Sequence, residues 1–226
     1  MLEIKAELDR LQQLASEKYS IKPEKVRLMI SDLTSVFKNI LLKANHPRRQ
    51  ITRITTKFRD AGRRSPPWKP ASGRLPGRPQ DGADGNRRLR WLFPPHHKFY
   101  ADEVTATLTE VKYYLQALSM DDAPSLPENT LQDCFFGWLV EHRVIPGAYL
   151  DPIQLISINL NDIISDASKI QSGHLIPLNR EGRHEPKNAF LMLARSNQLQ
   201  GNLTVAELLE LMQQILKRHR EQGHIT

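Results

Sequence analysis

Apolar residues return at helical spacing through the first 45 positions. In "LEIKAELDRLQQLASEKYS", Leu2, Ile4, Leu8, Leu11 and Leu14 predict one helix. "IKPEKVRLMISDLTSVFKNILLKA" predicts a second, with Pro23 in its first turn, where a missing N–H costs little. Its stripe is Val26, Met29, Ile30, Leu33, Val36, Phe37, Ile40 and Leu41, broad enough to be core or partner-facing. Periodicity then lapses over residues 46–98. It returns in "YADEVTATLTEVKYYLQALSM", a helix on Val104, Leu108, Val111, Tyr114, Leu115 and Leu118. "PENTLQDCFFGWLVEHRVI" predicts another, with Phe135, Phe136, Trp138, Leu139 and Val140 as core. "PGAYLDP" is a turn, and "IQLISINLNDIISDASKI" alternates at its start without a strong helical stripe. The last helix is "TVAELLELMQQILKRHRE". Thr204 can cap it, Glu207 completes a capping box, and Leu208, Leu209, Leu211, Met212, Ile215 and Leu216 form its apolar side.

Before that helix the pattern shortens to strand length. "GHLIPL" reads as a strand leading into a turn, and "NREGRHEPKN" as a loop shaped by Gly182 and Pro186. "AFLML" is a compact apolar strand, followed by a short helix through Ser196–Gln200 that Gly201 ends. The order strand, loop, strand, helix brings His174 near Asn188 and Asn197. The fold class expected is α+β: mainly helical, with a small ββα element near the C-terminus.

Charge adds one feature. Net charge is +7, but residues 47–98 hold 14 Lys/Arg against 3 acids and the rest of the chain 18 against 22. Eight of the fifteen prolines also lie between Pro47 and Pro95. This stretch predicts a basic, disordered or irregular linker, and a basic block suits phosphates. The same abrupt bias is also what a stretch translated out of frame would show. The chain thus divides into a helical region 1–45, the linker 46–98 and a domain 99–226. No apolar run approaches membrane-spanning length, the acid-bearing N-terminus lacks a signal core, and the single Cys134 excludes an intramolecular disulfide. A cytoplasmic protein is expected.

The chemistry lies in "SGHLIPLNREGRHEPKNAFLMLARSNQLQGN". A histidine can activate water as a general base if one ring nitrogen is held as donor and the other left bare. An asparagine carbonyl can accept that donor, and another asparagine oxygen can ligate a hard cation that stabilises phosphate charge. The pieces "GHLIPL", "NREGRH", "NAFLML" and "SNQLQGN" resemble the HNH, or ββα-metal, nucleases over roughly residues 149–202, with "YLDP" where that family opens its first knuckle. Similarity is greatest to restriction endonucleases of this class. The resemblance implies hydrolysis of DNA phosphodiesters, with His174 as base and Asn188 as the structural, histidine-orienting asparagine. It implies Asn197 as a ligand of a divalent cation, Mg²⁺ or Mn²⁺. Arg180, Arg183, Lys187 and Arg195 crowd the motif and suit DNA phosphates, while His184 reads as a solvated loop histidine. A two-fold target would suit a homodimer.

One departure alters these expectations. Where the family carries an acidic ligand before the base histidine, this chain has Gly173. An active enzyme then needs another carboxylate: Asp166 and Asp162 first, with Asp151 and Glu181 as further candidates. The alternative is a DNA-binding protein with a degenerate, inactive nuclease element.

Overall fold

The computed structural model describes residues 22–66, 87–125 and 139–225. The helix expected over residues 2–20, most of the one around Cys134, and the middle of the Pro/Gly-rich stretch lie outside them. The chain is α+β and mostly helical, with a two-stranded antiparallel sheet near its C-terminus. Among the described residues no helix is long and apolar enough to cross a membrane.

Helix α1 (Pro23–Lys43) begins at its proline and buries the whole expected stripe. Helix α2 (Arg48–Arg63) corrects the linker expectation, because residues 48–63 of the supposed tract form a helix packed into the core. Ile51, Ile54 and Phe58 recur at i, i+3 and i+7 and are fully buried, while six Arg and Lys residues occupy other faces. Helix α3 (Glu103–Ala117) starts at Asp102, whose carboxylate accepts from Thr105 N at 2.9 Å, a cap that satisfies one orphan donor. It packs on both earlier helices. Phe37, Phe58 and Tyr114, one from each helix, meet edge-on or tilted with centroids 5.2–6.1 Å apart.

The crossing of α2 and α3 depends on a glycine. A Cβ at Gly62 would lie 2.6 Å from Glu110 Cβ and 2.9 Å from its backbone. Beside this contact Arg63 pairs with the buried Glu110. Burial pushes the Glu110 carboxyl up to about 7, against the pull of Arg63. Arg90, from the 3₁₀ turn Arg90–Leu92, closes the end of α2. Its guanidinium donates to Gly62 O (3.1 Å), Phe99 O (3.3 Å) and Ala61 O (3.4 Å), taking up carbonyls that a helix end leaves unpaired.

Helix α4 (Leu160–Ser165) is short, capped by Asn159. Strand β1 (Ile170–His174) pairs antiparallel with β2 (Ala189–Leu193), with Ile170 opposite Leu193 and His174 opposite Ala189. The first strand therefore ends where "GHLIPL" was expected to begin. Helices α5 (Ala194–Gln200) and α6 (Val205–Glu221) follow, and the capping box of Thr204 and Glu207 is present. Only Leu208 of the α6 stripe is buried; Leu209, Leu211, Met212, Ile215 and Leu216 remain exposed.

Side chains from elsewhere hold the hairpin. Gln116 Oε1 accepts from Leu191 N at 2.9 Å, and Tyr149 OH donates to Leu191 O at 2.6 Å. Lys112 donates to Pro186 O and lies 3.5 Å from the centroid of the Phe190 ring. Asp151, the acid of "YLDP", accepts from Ile153 N, Gln154 N, Ser196 Oγ and Leu193 N at 2.8–2.9 Å. It fastens the knuckle turn to β2 and α5.

Candidate functional site

His174 closes β1, and its ring has a definite partner. His174 Nε2 lies 2.9 Å from His184 Nδ1, and His184 Nε2 lies 2.7 Å from Gly62 O. A carbonyl oxygen only accepts, so His184 Nε2 carries a hydrogen. A neutral His184 then has a bare Nδ1, which accepts the hydrogen of His174 Nε2. The relay leaves Nδ1 of His174 with the lone pair. Both rings stay neutral. Burial first, then the charge of Arg90, lowers His174 to about 3, and the same causes hold His184 well below the usual histidine range.

His184 is therefore not a solvated loop residue; it is 1% exposed. It, and not Asn188, is hydrogen-bonded to the His174 ring. Asn188 spends its side chain on the loop: Oδ1 accepts from Ile176 N (2.8 Å), and Nδ2 donates to Ile176 O and Arg183 O (2.9 Å each). A β-hairpin loop of this length needs its backbone groups paired when it is partly buried, and one amide ties both of its limbs.

Asn197, on α5, faces the same cavity as His174. Its Nδ2 donates to Gln171 Oε1 at 2.7 Å. Its Oδ1 would be 3.1 Å from a Cβ built on Gly173. Gly173 has no left-handed backbone angle, so an L side chain is not barred by φ. The obstacle is the buried side chain of Met192, which such a Cβ would strike.

The expected carboxylates stand apart from this group. Asp162 and Asp166 belong to α4 and its end, beyond the Ile170 end of β1, whereas His174 is at the other end. Asp162 lies 3.5 Å from Lys169. Asp166 accepts from Ser168 N (2.9 Å) and Oγ (2.6 Å), bonds that hold its pKa low. Asp151 is committed to the knuckle, as above. Glu181 lines a groove of about 730 Å³ that His184 also borders but His174 does not.

What does surround His174 is positive. A cavity of about 350 Å³ is lined by Lys57, Arg64, Arg87 and Arg90 together with Gln171, Ser172, His174 and Asn197. None of the described residues that line it is acidic. It adjoins a second cavity through His174, Ser172 and Asn197, lined also by Lys98. Among the described residues no group of three or more His, Cys, Asp or Glu gathers to hold a metal. Amide oxygens and one imidazole, set among cations, do not fit Mg²⁺ or Mn²⁺, which need anionic oxygens to offset their lost hydration.

The four expected DNA contacts differ in what they have left to offer. Arg180 is committed through both nitrogens to Glu207, at 2.7 and 2.8 Å. Lys187 lies 3.4 Å from Glu185. Arg183 and Arg195 are exposed, and Arg183 borders the wide groove.

No protein-family model matches the chain, and no curated protein matches it. A solved structure described as "Crystal structure of a type II restriction endonuclease" is similar to it, with a TM-score of 0.46 and 19% identity over 55% of this chain. The match likewise spans 55%, about half, of that protein's length.

Proposed function

We propose that the chain is an HNH-type endonuclease that hydrolyses phosphodiester bonds of DNA, of the restriction class. The observation that carries this reading is the meeting of His174 and Asn197 at one cavity, on a strand–loop–strand–helix unit in the order the resemblance implies. His174 Nδ1 accepts a proton from water as that water attacks phosphorus. A new P–O bond forms, the P–O bond to the leaving nucleoside breaks, and the departing oxygen takes a proton from solvent. The Gly62–His184–His174 relay holds the ring in the tautomer that this step needs. Asn197 and Gln171 offer an amide pair beside the phosphate. Exposed Arg183 and Arg195 reach towards neighbouring phosphates of the duplex. A two-fold recognition sequence would call for a homodimer.

Digestion of a mixed-sequence DNA, with the fragment ends sequenced, tests the reading. Ends that share a recurring sequence support it. Intact DNA in EDTA, Mg²⁺ and Mn²⁺ alike overturns it in favour of a DNA-binding protein with an inactive element. That no described residue lining the His174 cavity is acidic is the observation on that side.

A further inference from the structure

We infer that the groove between α1 and α2, which none of the four motif cations lines, is a docking surface for the phosphate backbone of duplex DNA. The inference rests on the nuclease reading for its partner, a DNA duplex.

Two core helices build the groove. Residues 27–38 of α1 form one wall and residues 52–63 of α2 the other, with Glu110 and Tyr114 of α3 beneath, around a space of about 640 Å³. At the rise of an α-helix the walls run for about 16 Å, enough for several phosphates of one strand. Helix α2 divides this groove from the His174 cavity. Thr52, Thr56, Arg59 and Arg63 face the groove, and Lys57 and Ala61 face the cavity. At roughly 100° per residue, Arg49 and Arg53 fall on the crest between them. A backbone lying in the groove is therefore about one helix diameter, roughly 10–12 Å, from that cavity.

Charge selects the occupant. Lys38 lines the groove, and Arg48, Arg49 and Arg53 are exposed on α2 at its Thr52 end. Lys38, Arg48 and Arg49 have no ion pair among the described residues. Asp166 interacts with Arg53 across space and offsets part of its charge. The remaining cations are committed: Arg27 to Glu103, Arg59 to Asp60 and Arg63 to Glu110. Glu110 is the one acid among the described lining residues, and it is buried. The first turn of α2 has neither an acid nor a side-chain cap, so Arg48 and Arg49 stand there against the macrodipole. Among the described residues that positive charge is uncompensated, and a phosphate backbone compensates it. Ser31 and Thr56 add hydroxyls, which bond phosphate oxygens. A bilayer surface is too broad to enter a groove between two helices, whereas the backbone of one strand fits.

Fluorescence anisotropy of a labelled, mixed-sequence duplex with the full chain in EDTA tests the surface, because it reads binding to uncut DNA. Affinity should fall as salt is raised. Lys38→Gln, Arg49→Gln and Arg53→Gln should each lower the slope of log affinity against log salt by about 0.9, and the triple variant by about 2.7. Arg220→Gln, on α6, should leave the slope unchanged. All four positions are exposed, so the urea midpoints should match wild type and confirm that each variant is folded. A folded triple variant with the wild-type slope would overturn the inference. So would a triple variant that loses affinity for phosphatidylserine vesicles and keeps it for the duplex. Plasmid cleavage by the same samples keeps the two readings apart. A protein that never cuts, but whose triple variant loses duplex affinity, supports the surface and sinks the nuclease. A protein that cuts, and whose triple variant binds the duplex like wild type, does the reverse.

Discussion

Replacing His184 by alanine removes both bonds of the relay at once. Gly62 O keeps a partner in Arg90, so the helix end survives. His174 Nε2 loses the acceptor it has among the described residues, and a fully buried imidazole leaves a void. A buried donor without a partner costs about 1–3 kcal/mol, and with the void the total reaches about 3–5 kcal/mol. That is a large share of a typical stability of about 5–15 kcal/mol, so a urea melt must accompany the kinetics. The chemical cost is separate. Nothing then decides which nitrogen of His174 carries the hydrogen, and cleavage should fall by about 10²–10⁴-fold, the range for losing a placed general base or its tautomer. His184→Gln offers a donor to Gly62 O and an acceptor to His174, and should recover most of that loss. His184→Phe fills the space without either bond and should not. The assay is the nicking rate of supercoiled plasmid, measured where every variant is folded. Equal rates for the folded glutamine and phenylalanine variants would refute the relay.

Three other outcomes follow from the packing. Gly62→Ala forces a Cβ onto the Glu110 backbone and should cost at least about 1–3 kcal/mol, read as a lower urea midpoint with an unchanged slope. Glu110 titrates near 7 in the fold against an ordinary 4.5, so between those values the native state holds a proton that the unfolded chain has released. Its contribution to stability is complete below pH 4.5 and falls as pH rises towards 7, by at most about 1.4 kcal/mol per pH unit. Glu110→Gln should flatten that part of a stability–pH curve, and an unchanged slope would show that Glu110 does not set it. Thr204→Ala breaks the capping box of α6 and should cost about 0.5–2 kcal/mol, visible as lost helical signal on mild heating.

Elements with a dense apolar stripe were legible in the sequence. The stripes of α1 and α3, the Thr204–Glu207 box and the "AFLML" strand all form where the pattern puts them. Helix α2 was hidden by its neighbours in the chain. Its three large apolar positions sit among six cations, next to prolines and glycines, so the composition of the whole tract masks their period. The i, i+3, i+7 spacing of Ile51, Ile54 and Phe58 was the available signal. At the site, local order sufficed to bring His174 and Asn197 together, since both belong to one hairpin–helix unit. It could not reveal the partner of His184, because Gly62 is 122 residues away in the chain. Nor could it reveal that Arg90, one of the basic residues of the expected linker, is buried as the lid of a helix end. Contacts of that kind depend on which surfaces the core brings together, and no local period records them.

The central claim is that His174 activates water for phosphodiester cleavage, and one comparison tests it most directly. Supercoiled plasmid is incubated with wild type or His174→Ala, both confirmed folded, in EDTA, Mg²⁺ and Mn²⁺. Wild type should nick the plasmid in at least one of these, and the variant should do so about 10²–10⁴-fold more slowly while retaining its affinity for uncut DNA. A folded His174→Ala protein that cuts at the wild-type rate would contradict the account.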